Sequence, residues 1–272
     1  MVEAKKPLKK VAEGREAEIF AWEDGKILRL QRDPDSQLRV ARQAMAIEAA
    51  SKSGLRVPEV YGEATAMGRP GLIMERLDGT DVLTLLGNQP WKLWWAARVC
   101  SELHAQMHDA KAVPEIVPLK QRIRGMVESS DKVPERFAEF ALRQMDDLPD
   151  GDRLLHGDFH PANIMMQGDD PVVIDWTAVA RGDPAADFAR TRLMLRIGEL
   201  PPGTPMVMRA LTAVGRGVLW RLYDREYRRY RSPDMSIVER WQTVRLADRL
   251  VEGIEEERPA LLKLARAAVN SA

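Results

Sequence analysis

The sequence predicts an α+β protein with two lobes, a small N-terminal lobe rich in β-strands and a larger, mainly helical C-terminal lobe. Three observations predict this division. Two short strands joined by a turn lie near the N-terminus, apolar residues recur at helical spacing along most of the chain after residue 80, and a polar β-hairpin interrupts that helical region. We expect the lobes to span residues 1–79 and 80–272, with an antiparallel sheet in the first.

The N-terminal lobe contains a predicted strand pair. Glu18–Trp22 and Lys26–Leu30 have the composition of strands, and Glu23-Asp24-Gly25 between them is a hairpin turn signal. The turn that begins at Gly14 comes just before this pair. Arg29 stands in the middle of the second strand, so it either points to solvent or offers its charge to a bound anion.

A helix is predicted after the strand pair. Asp33-Pro34 has the pattern of a helix start, and the helical pattern continues to about Ser53. Leu38, Ala41, Met45 and Glu48 are three or four residues apart, which places them on one face. Because burying an unpaired carboxylate is costly, Glu48 on such a face should have a cationic partner, and Arg29 is the obvious candidate.

A further apolar strand, Gly71–Met74, precedes a polar connection that leads into the helical lobe. The first long helix after it is expected to be central and buried, because it carries three tryptophans and several other large apolar residues. Cys100 lies in this helix and is expected to be a core residue. The predicted longer helices are Trp91–His108, Leu119–Ser130, Pro134–Met145, Met206–Arg229, Ile237–Glu256 and Ala260–Val269.

Leu155–Trp176, with the sequence LHGDFHPANIMMQGDDPVVIDW, contains the polar hairpin. Ile164–Met166 and Val172–Ile174 are the predicted strands, and residues 168–171 form the turn. The hairpin brings the ends of two apolar strands together, and polar side chains cluster there: His156, Asp158, Asn163 and Asp175. Two carboxylates and an amide form a hard-oxygen site of the kind that suits Mg²⁺.

The spacing His156-x-Asp158, then four residues, then Asn163 matches the catalytic-loop pattern H-x-D-x-x-x-x-N of phosphoryl-transfer enzymes. An alcohol acceptor must lose its proton as the phosphoryl group arrives, and Asp158 is the predicted catalytic carboxylate that orients the hydroxyl and accepts this proton. Asn163 and Asp175 are predicted to hold Mg²⁺. His156 is expected to brace the loop by hydrogen bonding.

The whole stretch resembles the aminoglycoside phosphotransferase/choline kinase-like family, with its H-G-D-x-x-x-x-N and I-D-[FW] motifs. The resemblance covers most of residues 9–190. It implies a two-lobed protein-kinase-like fold, Mg²⁺, ATP or GTP as the phosphoryl donor, and a small hydroxyl compound as the acceptor. Relatives phosphorylate antibiotics, choline, homoserine and sugars, so an aminoglycoside or another antibiotic is among the implied acceptors.

The resemblance also implies roles for residues near the nucleotide. The turn at Gly14 would lie over the phosphates, Arg29 would contact them in place of the usual lysine, and Glu48 would pair with that basic residue. Met74 would lie beside the adenine, and the backbone of Glu75 and Leu77 would bind it. In the segment Gly182-Asp183-Pro184-Ala185-Ala186-Asp187, both aspartates would brace the catalytic loop through backbone amides.

Composition restricts the classes of partner. The chain has 41 basic and 41 acidic residues, so no overall positive field favours nucleic acid. No apolar run is long enough to cross a membrane, and the single Cys100 fits a reducing compartment, which predicts the cytoplasm.

Two other functions remain open at the level of sequence. One is a nucleotide-binding module without catalysis, suggested by Arg29 in place of lysine and by a turn with only one glycine. The other is a metal-dependent hydrolase that uses His156, Asp158 and His160, because histidines at this spacing suit Zn²⁺.

Overall fold

The computed structural model describes residues 2–3, 8–14, 16–23, 25–197 and 206–270, and describes side chains in 8–14, 16–23, 25–197 and 213–270. Two positions of predicted turns, Arg15 and Asp24, lie outside the described residues. The predicted α+β class is confirmed, since a sheet dominates the first 75 residues and helices dominate the rest of the chain.

A six-stranded sheet forms most of the N-terminal lobe. Its strands are β1 (Val2–Glu3), β2 (Lys10–Glu13), β3 (Ala17–Ala21), β4 (Lys26–Gln31), β5 (Val60–Ala66) and β6 (Arg69–Glu75). The spatial order is β1-β5-β6-β4-β3-β2, antiparallel except for the parallel pair β1–β5. β3 and β4 are the strands of the predicted hairpin.

Alternation along β4 decides which side chains face the rest of the protein. Leu28 and Leu30 are fully buried in an apolar cluster with Phe20 and Ile73. Arg29, between the two leucines, therefore points to the opposite face of the sheet, where the helix α1 (Gln37–Lys52) and the C-terminal lobe lie.

The helix α1 begins three residues later than a start at Pro34 would require. The Asp33 side chain accepts a hydrogen bond from the Asp35 backbone N–H at 3.0 Å, so these residues form a turn before the helix. The buried face of α1 carries Val40, Gln43, Ala46, Ile47 and Ala50. The predicted apolar stripe through Glu48 is therefore wrong.

Glu48 is exposed and pairs with Lys52 one turn away, at 2.6 Å. The predicted ion pair between Arg29 and Glu48 is consequently wrong as well. The physical reason is the orientation of α1. Gln43 and Ile47 lie on the face that packs against the protein, and Glu48 lies on the face that points to solvent.

The C-terminal lobe is built from α2 (Val82–Asn88), α3 (Leu93–Met107), α4 (Leu119–Glu128), α5 (Glu135–Asp146), α6 (Pro184–Ile197), α7 (Met206–Arg231), α8 (Met235–Val251) and α9 (Arg258–Asn270). α3 packs along α7, and α6 packs along α8. Short strands complete it: β7 (Thr80–Asp81), β8 (Arg153–Leu155), β9 (Ile164–Gln167), β10 (Asp170–Val173) and β11 (Ala180–Gly182). They form a sheet β10-β9-β7 and a pair β11-β8.

The predicted burial of α3 is confirmed from Ala96 onward, but not at its predicted start. Cys100, Leu103 and Met107 are buried, and burial raises the pKa of the Cys100 thiol to about 12, as fits a core residue. Trp91 and Trp94 instead lie at the surface, 74% and 51% exposed. Within the described ranges, no helix is both long enough and apolar enough to cross a bilayer.

Candidate active site

The predicted hairpin is the antiparallel pair β9–β10. Gln167 pairs with Asp170 across a two-residue turn, in which Gly168 has a φ of +64°. Beyond the pairing, the backbone N–H of Ile174 donates to the carbonyl of Asn163 at 2.9 Å. This bond joins the open ends of the hairpin, so Asn163 and Asp175 are held near each other as the sequence predicts.

The loop before β9 is fixed by a carboxylate from α6. Asp187 accepts hydrogen bonds from the backbone N–H groups of His156 at 2.7 Å and of Gly157 at 2.9 Å. Gly157 has a φ of +79°, and a Cβ at this position would lie 2.1 Å from the carbonyl oxygen of Ala178. Glycine is therefore required here, and the loop has little freedom to shift.

His156 braces the same loop with both ring nitrogens. Its Nε2 donates to the carbonyl of Ile174 at 2.9 Å, and its Nδ1 accepts from the backbone N–H of Asp158 at 3.3 Å. Burial lowers the pKa of His156, so the ring is neutral and this pairing defines its tautomer. Since both nitrogens are used, the geometry argues against the alternative metal site of His156, Asp158 and His160.

Asp158 presents its carboxylate to a cleft between the lobes, with 32% of the side chain exposed. One carboxylate oxygen lies 3.5 Å from His160 Nε2, and the other lies 3.7 Å from a guanidinium nitrogen of Arg190. Burial tends to raise the pKa of Asp158, but the hydrogen bond and charge of His160 and the charge of Arg190 outweigh it and lower the pKa. The carboxylate is therefore ionised at neutral pH, as a proton acceptor must be.

Asp175 and Asn163 offer the hard oxygens that a divalent cation requires. Asp175 adopts a left-handed conformation, with φ +59° and ψ +67°, and its Oδ1 accepts from Thr177 at 2.8 Å. Asn163 donates through Nδ2 to the carbonyl of Asp158 at 2.8 Å, which turns its Oδ1 the other way. Within the described residues, Asp175 Oδ2 and Asn163 Oδ1 have no hydrogen bond, so the donor set fits Mg²⁺.

Arg29 reaches this carboxylate from the N-terminal lobe. Its guanidinium donates to Asp175 Oδ1 at 3.1 Å and to Gln43 Oε1 at 3.4 Å, and only 11% of the side chain is exposed. Gln43 of α1 thus occupies the place that the sequence prediction assigned to Glu48. Gln43 adds no charge, so within the described residues Asp175 is the carboxylate that pairs with Arg29.

The cleft has a volume of about 1810 Å³ and brings most of the predicted residues together. Those that line it are Gly14, Arg29, Met74, Glu75, Leu77, Asp158 and Asp175. Asn163 lies just behind the loop and is 8% exposed, and Glu48 is not part of the lining. The backbone N–H of Glu75 is already bound to the carbonyl of Glu59 at 2.8 Å, so a hydrogen bond from Glu75 to an adenine has to use its carbonyl oxygen.

The two aspartates after the hairpin differ in role. Asp187 braces the catalytic loop as predicted, but Asp183 does not. Asp183 accepts from the backbone N–H of Ala185 at 3.0 Å at the start of α6, and from the indole N–H of Trp241 at 3.1 Å. Asp183 immediately precedes α6 and therefore caps that helix, whereas Asp187 lies one turn inside α6. Through Trp241, Asp183 also anchors α8.

Buried histidines surround Asp187. His104 contacts the hydroxyl of Tyr223 at 2.5 Å and Asp187 at 3.3 Å, so it is a core histidine with partners for both ring nitrogens. His108, one turn later, contacts the hydroxyl of Tyr227 at 2.7 Å. The sequence analysis assigned it no role, although its spacing of four residues from His104 places both histidines on one face of the helix. The two tyrosines come from the basic, aromatic stretch 221–231, and both are buried in the core, whereas Tyr230 of the same stretch is exposed.

Because these histidines are buried in the neutral form, we expect stability to fall in mild acid. Burial lowers the pKa of His104 from 6.5 to about 3, so between these values the unfolded chain binds a proton that the folded chain does not. Each histidine that stays neutral should then cost about 1.4 kcal/mol per pH unit as the pH falls below its unfolded pKa. Asp187, whose pKa is lowered, stabilises the fold at higher pH, and this stabilisation is lost only as the pH falls through and below the ordinary range of aspartate, so it does not alter this slope.

Urea unfolding between neutral pH and about pH 5 measures this slope. The variant His104→Gln removes one titrating group and should have a shallower slope. A free energy of unfolding that is constant over this range would show that the histidines are protonated in the folded state.

The remaining charged residues of the site come from α6 and α8. Arg190 binds Asp248 at 3.3 Å and also contacts Glu252, and Arg245 binds Asp248 at 2.8 Å. Together they form a ladder of ion pairs, in which Asp248 and Glu252 also line the cleft. Arg190 was not predicted, because its partners are about 60 residues away in sequence.

A kinase-like fold with a braced aspartate, an amide and a second carboxylate at the mouth of a hairpin defines a phosphotransferase. The model of the family described as APH, the phosphotransferase enzyme family, matches residues 7–232, so the chain belongs to this family. The predicted family and the predicted class of small-molecule phosphotransferase are thereby confirmed.

Solved structures confirm the two-lobed kinase-like fold. A thermostable mutant of aminoglycoside phosphotransferase APH(4)-Ia, in ternary complex with ADP and hygromycin B, is similar with a TM-score of 0.67 at 17% identity, covering 98% of this chain and 94% of that one. The amicoumacin kinase hAmiN, in complex with AMP-PNP, Ca²⁺ and Ami, has a TM-score of 0.67 at 13% identity, covering 99% and 90%.

A third similar structure is macrolide 2'-phosphotransferase MphH from Brachybacterium faecium, with a TM-score of 0.56 at 18% identity, covering 98% of this chain and 92% of that one. A sequence search of curated proteins finds no significant match.

Proposed function

We propose that the protein transfers the γ-phosphate of ATP to a hydroxyl group of a small acceptor, with Asp158 as the catalytic carboxylate. The observation that carries this proposal is that Asp158, Asp175 and Arg29 line one cleft, with Asn163 just behind. His156 and Asp187 hold the loop of Asp158 in place by hydrogen bonds. Rigid positioning of charged groups is the main source of catalysis in phosphoryl transfer.

The nucleotide is proposed to bind in the half of the cleft next to the sheet. Ile27, Met74 and Leu77 offer an apolar surface for the base, and Gly14 lies in the turn before β3 at the same opening. Arg29 would contact the phosphates. The adenine is proposed to hydrogen-bond to the connection between the lobes, through the carbonyl of Glu75 and the backbone of Leu77. GTP can use the same cleft, and it would bind less well than ATP if the carbonyl of Glu75 distinguishes guanine from adenine.

The acceptor hydroxyl is proposed to donate its hydrogen bond to the Asp158 carboxylate, which takes the proton as the hydroxyl oxygen attacks the γ-phosphate. Asn163 holds the Asp158 backbone in place through its amide N–H, and its Oδ1 and the carboxylate of Asp175 would hold Mg²⁺. When bound, the cation neutralises charge on the phosphate oxygens. The lowered pKa of Asp158 makes it a weak base, so its contribution is mainly to orient the hydroxyl.

A transfer screen tests the proposal. Purified protein with Mg²⁺ and ATP, then GTP, is incubated with aminoglycosides, macrolides, amino alcohols, sugars and hydroxy acids, and ADP release and the phosphomonoester product are measured. Activity that requires Asp158 establishes the function. Nucleotide binding with no transfer to any acceptor, and with no effect of Asp158→Asn, would instead favour a nucleotide-binding protein without catalysis.

Asp175→Ala is expected to weaken the binding of magnesium–nucleotide and to lower kcat by at least about 100-fold, because it removes a ligand of the cation. Calorimetry with AMP-PNP, with and without Mg²⁺, measures the binding. The variant should lose most of the magnesium dependence of nucleotide affinity, while Asp170→Ala, in the exposed start of β10, should keep it. An unchanged magnesium dependence would exclude Asp175 as a ligand.

The location proposed for the protein is the cytoplasm. The support is the single, buried Cys100, which makes no disulfide, together with a nucleotide substrate that is available inside cells.

A further inference from the structure

The half of the cleft beyond Asp158, here called the acceptor half, is lined by residues of α4, α6 and α8 and of the segment after α8. Its carboxylates are already neutralised. Glu257 is held by Arg249 through two bonds of 2.7 Å, Glu252 lies 2.5 Å from Arg249 and also contacts Arg190, and Asp248 binds Arg190 at 3.3 Å. These acids are therefore not available to a positively charged acceptor.

Arginine side chains in the same region have unused capacity. Arg122 of α4 lines the cleft and donates to the backbone carbonyls of Ala178 and Val179, but within the described side chains it has no carboxylate partner. Burial lowers the pKa of Arg122, and the nearby charge of Asp248 offsets this only in part because Arg190 opposes it.

Buried N–H groups in this cluster have no acceptor. The Nε atoms of Arg122, Arg190 and Arg245 are inaccessible and unpartnered among the described residues, and Arg190 as a whole is only 4% exposed. An unsatisfied buried donor, especially a charged one, is costly. Because these Nε atoms are inaccessible, a molecule in the cleft can reach the arginines only through their other N–H groups. Of these three, Arg122 and Arg190 line the cleft.

Apolar side chains form the rest of the acceptor half. Val117 and Met126 lie on the α4 side, Leu195 and Leu219 on the opposite side, and Ile254 after α8. This surface fits an apolar body of the acceptor and offers little to a molecule with polar groups on all sides.

We propose that the acceptor is a hydroxy acid with an apolar body, whose carboxylate binds Arg122 while its hydroxyl faces Asp158. The inference rests on the proposed function and adds the chemical class of the substrate. A planar carboxylate matches the fork of a guanidinium, and Arg122 has no carboxylate partner among the described side chains. The same arrangement disfavours a polycation, because the cluster has no free negative charge apart from Asp158.

The test compares alcohols that share a body and differ in charge. One series is ω-hydroxydecanoate, its carboxamide and the corresponding ω-amino alcohol, and the second is hydroxymethylbenzoate with its amide and its aminomethyl counterpart. Binding to the protein with Mg²⁺ and AMP-PNP is measured by calorimetry, and ADP release is measured with ATP. In at least one series the carboxylate is expected to bind about tenfold or more tightly than the ammonium compound.

Arg122→Gln should abolish this preference, and Arg122→Lys should keep its sign while weakening the binding, because lysine retains the charge without the fork. Arg143→Gln is the matched control: Arg143 lies on α5, is 67% exposed and pairs with Glu139 at 3.6 Å, away from the cleft. It should behave like the unaltered protein. Should Arg122→Gln fail to fold, the comparison of compounds on the unaltered protein and on Arg122→Lys still decides.

Equal binding of the three charges, a preference for ammonium, or no binding of either hydroxy acid overturns the inference. These outcomes are distinct from failure of the proposed function. Phosphorylation of an amino alcohol or an aminoglycoside that disappears in Asp158→Asn would keep the kinase and remove only the hydroxy acid as its acceptor class.

Discussion

Asp158→Asn is expected to lower kcat by about 10²–10⁴-fold, with the affinity for magnesium–AMP-PNP nearly unchanged. The amide has the same size and is held by the same loop, but it cannot accept the proton of the acceptor hydroxyl. In the unaltered protein, one carboxylate oxygen of Asp158 lies near His160 and the other near Arg190. Both contacts are weakened when the charge is lost. Steady-state kinetics and calorimetry on one preparation separate the two effects.

The control for this substitution is Asp169→Asn, which removes the same charge at the exposed turn of the β9–β10 hairpin. It should retain full activity. If Asp158→Asn turned over as fast as the unaltered protein, Asp158 would not be the catalytic carboxylate. If it lost nucleotide affinity in parallel with kcat, its role would be structural or in metal binding.

Asp187→Ala is expected to destabilise the protein by about 3–5 kcal/mol, the largest effect on folding that we predict. The carboxylate is buried and accepts from two backbone N–H groups of the catalytic loop, those of His156 and Gly157, and it also contacts His104. Removing it leaves buried donors without an acceptor. Its pKa is lowered well below the ordinary range despite burial, which reflects how strongly these partners favour the charged form.

Urea unfolding measures this loss, and Asp234→Ala provides the comparison. Asp234 also accepts from a backbone N–H, that of Ser236 at 2.9 Å, but it is an exposed cap of α8 and should cost about 1 kcal/mol. A loss at Asp187 no larger than at Asp234 would mean that water or another group satisfies the loop. The more conservative Asp187→Asn, if folded, should lower kcat because Asp158 is positioned through this loop.

Local patterns predicted the hairpin and its polar cluster well. The turn, the alternating strands and the spacing from His156 to Asp175 are short-range features, and the hydrogen bond between Ile174 and Asn163 follows directly from strand pairing. Arg29 is similar, because alternation on β4 with buried Leu28 and Leu30 leaves one face for it.

Predictions failed where they depended on the orientation of an element. Glu48 was assigned to a buried face, but Gln43 lies on the buried face of α1 instead. Nothing in the sequence distinguishes a buried glutamine such as Gln43 from one at the surface. Trp91 and Trp94 were assigned to the core because large apolar residues usually lie there, yet both are exposed.

By itself, then, the sequence determined the class of fold and the cluster of polar residues at the mouth of the hairpin, because strand alternation and turn geometry act over a few residues. The tertiary structure alone decided that Gln43 rather than Glu48 accompanies Arg29, that Asp187 rather than Asp183 braces the loop, and that the acceptor half is rich in arginine. Each of these depends on which faces of distant helices meet. Packing of the whole molecule selects those faces. The residues that bury α1, α6 and α8 come from many parts of the chain, so no single stretch of sequence reveals them.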